Sequence, residues 1–229
     1  GLAAPFARVI GNEVHLFYQT YGNGRADAIC HAVSKDGLRF TRNPTNPIFA
    51  PTGDWNAGRA IDADVVQFRG RWYLYAATRD PAMKVQMLVG AVSEGGFGRG
   101  DWKMLADAPL LKPELAWELD CIEAPSVVVR GDAMYMFYAG GYNNDPQQIG
   151  CARSRDGVKW ERLFREPLLA NGKRGEWNES ESGHPGVFVD AKGQTYLFFQ
   201  GNKDKGQTWY LSFVKIGWRR GLPFVQSTV

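Results

Sequence analysis

Apolar residues in this chain come in short runs of four to eight that alternate or fill every place and then break at Gly, Asp or Asn. That is the pattern of half-buried and buried strands; a helical period is hard to find. The aromatic runs recur. VHLFYQT (14–20), WYLYAAT (72–78), MYMFYAG (134–140) and TYLFFQG (195–201) start 58, 62 and 61 residues apart. Each follows a β-rich run and a tight turn, in PFARVIGNE, ADVVQFRGR, PSVVVRGDA and PGVFVDAKGQ, so each pair predicts a hairpin. A third strand is expected in DAICHAVS (27–34), QMLVGAVS (86–93), QIGCARS (148–154) and TWYLSFV (208–214). A fourth is expected in DGLRFTR (36–42), GDWKMLA (100–106) and DGVKWERL (156–163).

The links between copies repeat as well. NPIFAPTGDW, APLLKPELAW and EPLLANGKRGEW each run to a tryptophan: Trp55, Trp117 and Trp177. Four strands per repeat of about sixty residues is the signature of a β-propeller blade. The expectation is an all-β chain forming a single β-propeller domain over 1–229, with four four-stranded blades near 1–50, 51–112, 113–171 and 172–229. A two-sheet sandwich would leave the regular Pro-to-Trp links unexplained.

Composition narrows the partners. With 27 basic and 24 acidic residues the net charge is +3, too small to argue for nucleic acid or a membrane surface. No apolar run is long enough to span a bilayer, and no leader-like segment opens the chain. The expected location is therefore soluble, with secretion or a periplasmic place requiring a targeting segment outside these residues. Cys30, Cys121 and Cys151 are odd in number and form no CxxC pair, so they read as buried small hydrophobes rather than a disulfide framework or zinc site.

In a propeller, the first strand of every blade lines the central channel. The first-strand starts here are Ala4-Pro5, Asp62-Ala63-Asp64, Glu123-Ala124-Pro125 and His184-Pro185. Three of the four carry a titratable group. A carboxylate half-enclosed near another carboxylate has its pKa raised, which suits a general acid. Paired carboxylates are the chemistry of glycoside hydrolysis. The candidate catalytic residues are Glu123, Asp62 and Asp64. Candidates for holding substrate are Trp55, Trp117, Trp177, Tyr21, Tyr142, His184 and Arg79. Structural roles compete: Asp62 and Asp64 as turn residues, Glu123 bridged to Arg79 or Arg153, the three Trp residues as interblade packing, and His184 as a hydrogen-bonded core histidine.

These motifs resemble the five-bladed β-propeller glycosidases of glycoside hydrolase families 43, 32, 68, 117 and 130. IDADV (61–65) is similar to the group's Asp-Pro-x-Val start, with Ala63 in the proline place. IEAPSV (122–127) is similar to its Glu-Gly-Pro start, with Ala124 for glycine. HLFYQ (15–19) resembles the first-blade aromatic strand of family 32, and SKDGLRF and SRDGVKW resemble the group's S-x-D-G-x-x-W stretches. The resemblance implies that Glu123 is the general acid. It implies that Asp62 tunes that acid or stabilises the oxocarbenium-like transition state. It requires no cofactor, and a cation such as calcium in the central channel is compatible with it.

Two departures stand out. The group's third carboxylate, base or nucleophile, belongs at the first blade start, where this chain has Ala4 before Pro5. Four blades are readable where the group has five. The accounts that fit are a shortened chain, a base supplied by Asp64, Glu181 or Asp120, loss of hydrolysis with sugar binding kept, or a phosphorolytic enzyme using Arg59, Arg79 and Arg153. The leading expectation is a glycoside hydrolase acting on a plant or algal oligo- or polysaccharide. The runner-up is a non-catalytic carbohydrate-binding propeller, and a protein-interaction propeller is third. The expected partner is a carbohydrate, and the oligomeric state is open.

Overall fold

The computed structural model describes residues 1–226. Among the described residues, sixteen strands form four antiparallel sheets, each a four-stranded meander in chain order. The chain divides into two compact units, Gly1–Lys112 and Pro113–Val229.

The first unit holds two sheets. One contains β1 (Leu2–Ile10), β2 (Glu13–Thr20), β3 (Ile29–Ser34) and β4 (Thr41–Arg42). The other contains β5 (Ile61–Phe68), β6 (Arg71–Arg79), β7 (Gln86–Ser93) and β8 (Lys103–Met104). Their inward residues form one core, with Phe17 and Ile29 from the first sheet meeting Val65, Trp72, Leu74 and Val89 from the second. A buried imidazole pair lies at its edge: His15 Nδ1 is 3.0 Å from His31 Nε2, and His31 stacks on Phe17.

The second unit repeats the plan. β9 (Ile122–Arg130), β10 (Ala133–Gly140), β11 (Gln148–Ser154) and β12 (Glu161–Arg162) form one sheet. β13 (Glu181–Val189), β14 (Thr195–Asn202), β15 (Tyr210–Arg219) and β16 (Leu222–Val225) form the other. Phe137, Ile149, Leu197, Phe199 and Ile216 share its core.

The hairpins lie where the aromatic runs predict them, but the fourth strands are shorter than expected. Only Thr41–Arg42, Lys103–Met104 and Glu161–Arg162 pair in the first three sheets. The Asp-Gly segments ahead of two of them are loops with a local cause. The Ser34 hydroxyl oxygen accepts the Gly37 amide at 2.9 Å while Asp36 accepts the amides of Leu38 and Arg39. Ser154 and Asp156 repeat this with Gly157, Val158 and Lys159. Each side chain satisfies backbone donors that a ladder would otherwise use. The strand Leu222–Val225 lies outside the expected set, because LPFV gives only four residues of pattern. All three cysteines are buried thiols. No helix among the described residues is long and apolar enough to cross a membrane.

Candidate functional site

The first strand of every sheet carries a bulge at the same level. Two residues oppose one across the hairpin: Ala4-Pro5 opposite Tyr18, Asp62-Ala63 opposite Ala76, Ala124-Pro125 opposite Tyr138, and His184-Pro185 opposite Phe199. The leading residue is left-handed each time, with φ of 45° at Ala4, 54° at Asp62, 48° at Ala124 and 46° at His184. None of the four is glycine, so each costs about 1–2 kcal/mol that its surroundings must offset. Bulges re-aim the side chains beside them and gather next to active sites. In this frame Asp62, Ala4 and His184 occupy one position, and Glu123 stands one residue earlier, beside Ala124.

In the first unit, Asp62 is half-buried, and its backbone N–H donates to the Gln19 side-chain oxygen. Asp64 is 2% exposed and pairs across the hairpin with Tyr75. Asp27, just ahead of β3, holds a second buried carboxylate. Its Oδ2 lies 3.6 Å from Arg59 Nε. Arg59 Nη1 donates onward to Gln86 Oε1 at 3.1 Å, which also accepts from Arg79 Nε at 2.8 Å. Arg79 is thus bound into a polar chain with Gln86. Trp55 is half-buried against Gly53, and Tyr21 is exposed.

In the second unit, Glu123 is 6% exposed at the start of β9. Gln147 Nε2 donates to its Oε1 at 2.7 Å, and His184 Nε2 lies 3.7 Å from the same oxygen. Gln200 Nε2 donates to Glu181 Oε1 at 2.7 Å and to His184 Nδ1 at 2.9 Å. With Nδ1 accepting, a neutral His184 carries its proton on Nε2, toward Glu123. Glu181 is fully buried, its Oε2 accepting the Asn144 amide at 2.8 Å. Burial raises the Glu181 pKa, the Gln200 and Asn144 hydrogen bonds and His184 oppose that rise, and the nearby Glu123 charge adds to it. Asp120 is exposed.

Arg153 pairs with Glu161 at 3.0 Å, not with Glu123. A different buried bridge ties this unit: Arg162 Nε donates to Glu118 Oε1 at 2.7 Å, and Tyr138 OH to the same oxygen at 2.8 Å. Burial pushes the Glu118 pKa up, but Arg162, the amides of Glu114 and Leu115 and the Tyr138 hydroxyl outweigh it and leave the carboxyl below its usual range. Trp117 stacks on Tyr138 and fills the space above Gly140 and Gly150, where a Cβ would meet its ring at 2.3 and 2.8 Å. Trp177 covers Gly201 in the same way and remains 37% exposed. Tyr142 is half-buried after β10.

The second unit therefore brings Glu123, His184 and Glu181 into one hydrogen-bonded cluster through two glutamines. Sequence reading named the three charged or titratable members and missed Gln147 and Gln200. A signal for Gln147 existed. It stands immediately before a third strand, as Asp27 stands two residues before β3, and both backbone carbonyls accept from the head of the next first strand: Ala60 N, just ahead of β5, at 2.9 Å and Ser182 N, in β13, at 3.0 Å. A buried carboxylate with an amide donor on one oxygen and an imidazole N–H nearby can accept, hold and release a proton.

Comparison with known proteins bears on the fold and the family. A thermostable family-43 glycoside hydrolase superposes with a TM-score of 0.80 at 19% identity, over 99% of this chain and 75% of that one. An endo-1,4-beta-xylanase from Bacteroides thetaiotaomicron gives 0.78 at 19% identity, over 100% and 76%. An alpha-L-arabinofuranosidase from Lactobacillus brevis gives 0.78 at 17% identity, over 100% and 76%. At such identities the likeness carries the fold, the all-β propeller class with four four-stranded blades here. No curated protein sequence matches this chain. The sequence profile of glycosyl hydrolases family 43 matches residues 10–220, and this chain belongs to that family.

Proposed function

We propose that this chain hydrolyses a glycosidic bond in a plant or algal oligo- or polysaccharide, with Glu123 as the proton donor. One observation supports this above the others: Glu123 is a buried carboxylate beside a strained bulge, contacted by the Gln147 amide and close to His184. In the step assigned to it, the Glu123 proton passes to the glycosidic oxygen as the bond from the anomeric carbon to that oxygen breaks. The leaving group departs as an alcohol and positive charge develops on the sugar ring. Water then supplies the new oxygen at the anomeric carbon and loses its proton to a base. Asp62 is assigned its role in tuning the acid or stabilising the ring charge from the motif it shares with the family. Asp64 is the weaker carboxylate candidate, because strand pairing and burial hold it. Xylosides and arabinofuranosides are the first donors to try, since similar structures are described as a xylanase and an arabinofuranosidase.

A second reading has its own observation. Ala4 fills the left-handed bulge position of the first sheet, and its methyl group can neither take a proton nor attack carbon. That favours a sugar-binding propeller without turnover. Aryl xyloside, arabinofuranoside, galactoside and fructoside-type donors, given to wild type and Glu123→Gln, separate the two. Turnover of one donor that collapses in the variant supports the hydrolase. Calorimetric binding of the corresponding oligosaccharide without turnover of any donor supports the binding propeller.

A further inference from the structure

Gln147 is fully buried, and its side chain is held at three points. Its Nε2 donates to the Gly141 carbonyl at 2.9 Å, and its Oε1 accepts the His184 backbone N–H at 3.1 Å. A carbonyl oxygen can only accept and a backbone N–H can only donate, so the amide has one orientation. The same Nε2 therefore presents its remaining hydrogen to Glu123 Oε1, at 2.7 Å. An oxygen already accepting from a fixed donor is the poorer seat for a proton.

We propose that Gln147 is the positioning residue of the acid: it fixes Oε1 of Glu123 as an acceptor, so that the proton delivered to the leaving group is carried on Oε2. This rests on the reading of Glu123 as the proton donor. In the transfer, the Oε2–H bond breaks as the bond from that hydrogen to the glycosidic oxygen forms. The carboxylate left behind keeps the Gln147 N–H, which stabilises its charge without itself losing a proton. Gln147 touches neither sugar nor water in this scheme.

Gly183 provides an independent handle. A Cβ there would lie 1.8 Å from Gln147 Oε1, so the three-point anchorage needs a residue without a side chain at 183. The backbone tie from Ser182 N to the Gln147 carbonyl, 3.0 Å, does not involve the amide and survives side-chain replacement.

The test compares Gln147→Met and Gly183→Ala with wild type in two ways. The first needs no turnover. Carboxyl carbon NMR follows the titration of Glu123, its resonance identified by its absence in Glu123→Gln. Losing the fixed donor should raise the midpoint by about one pH unit in both variants. The second measures kcat/KM on aryl glycosides with graded leaving groups. Poor leaving groups, which need the proton, should lose roughly 10-fold or more, and good ones much less. An unmoved midpoint, or an equal loss across all leaving groups, overturns the positioning role and leaves Gln147 as packing. If Glu123→Gln itself fails to separate good from poor leaving groups, the acid reading fails and the Oε2 assignment falls with it. The NMR midpoint then still decides whether Gln147 governs the carboxyl group. Gly183→Ala carries the test should Gln147→Met not fold.

Discussion

The two units treat their buried acids differently at matching places. In Gly1–Lys112 the position ahead of the third strand is Asp27, and its charge meets Arg59. In Pro113–Val229 the matching position is Gln147, a neutral amide, which serves the carboxylate of Glu123 on the neighbouring strand. The first arrangement balances charge inside the fold. The second gives its acid a dipole and an imidazole. A nearby cation favours an ionised carboxylate more strongly than neutral hydrogen-bond donors do. On the proposed reading of Glu123, the same backbone frame holds a charge-balanced acid in one unit and a proton donor in the other.

The largest expected effect tests the second half of that contrast. Glu123→Gln should lower kcat/KM on substrates with poor leaving groups by about 10²–10⁴-fold. Urea unfolding should show little loss of stability, because an amide fits the space and its oxygen can keep the Gln147 hydrogen bond. A large loss of stability would make Glu123 another structural charge, like Asp27.

Arg59→Met is the counterpart in the first unit. It leaves Asp27, 2% exposed, without its cation. Breaking a buried pair from one side costs roughly 3–5 kcal/mol. Urea or thermal unfolding measures it, and a loss below about 1 kcal/mol would put this pair with ordinary surface bridges.

Acid should then act on the units with opposite sign. His31 is held down to about 4 by burial and by His15, which is itself lowered by burial. The unfolded chain therefore binds more protons than the folded one between about pH 6.5 and 4, and stability falls as pH drops through that window. The shift corresponds to up to about 3 kcal/mol for His31. Glu181 runs the other way: its raised folded pKa favours the fold in acid, and that contribution fades as pH rises above the unfolded value. Hydrogen exchange near neutral pH and near pH 4, corrected for intrinsic rates, should show protection lost in residues 13–34 before residues 181–202. The reverse order would refute the assignment.

The smallest effect probes what the units share. Ser34→Ala and Ser154→Ala each remove the hydroxyl that organises an Asp-Gly loop, at about 1 kcal/mol apiece. Near-equal losses are expected, and a difference of more than that amount would mean that the repeated loop bears unequal load.

Much of this was legible in the chain. The hairpins follow from alternating apolar runs, and the repeat follows from their spacing. Two of the expected fourth strands began at Asp-Gly pairs, but Asp36 and Asp156 turn back on their own backbone and so shorten them. Glu123 was conspicuous because a carboxylate at the head of an apolar strand needs a reason. Trp117 and Trp177 repeat with the links, and Gly140, Gly150 and Gly201 make room for their rings.

What the sequence by itself determined is the local order of strand and turn, through side-chain periodicity and the chemistry of Pro, Gly, Asp and Ser. Only the tertiary structure decided which polar residues meet. Gln147 and Glu123 are 24 positions apart, and Gln200 and Glu181 are 19. A glutamine can donate or accept, so its letter alone names no partner; the orientation is set by the Gly141 carbonyl and the His184 amide on either side of it. The separation between a buried charge met by a cation and one met by neutral donors lies in those contacts, because burial and hydrogen-bond direction are properties of the packed chain.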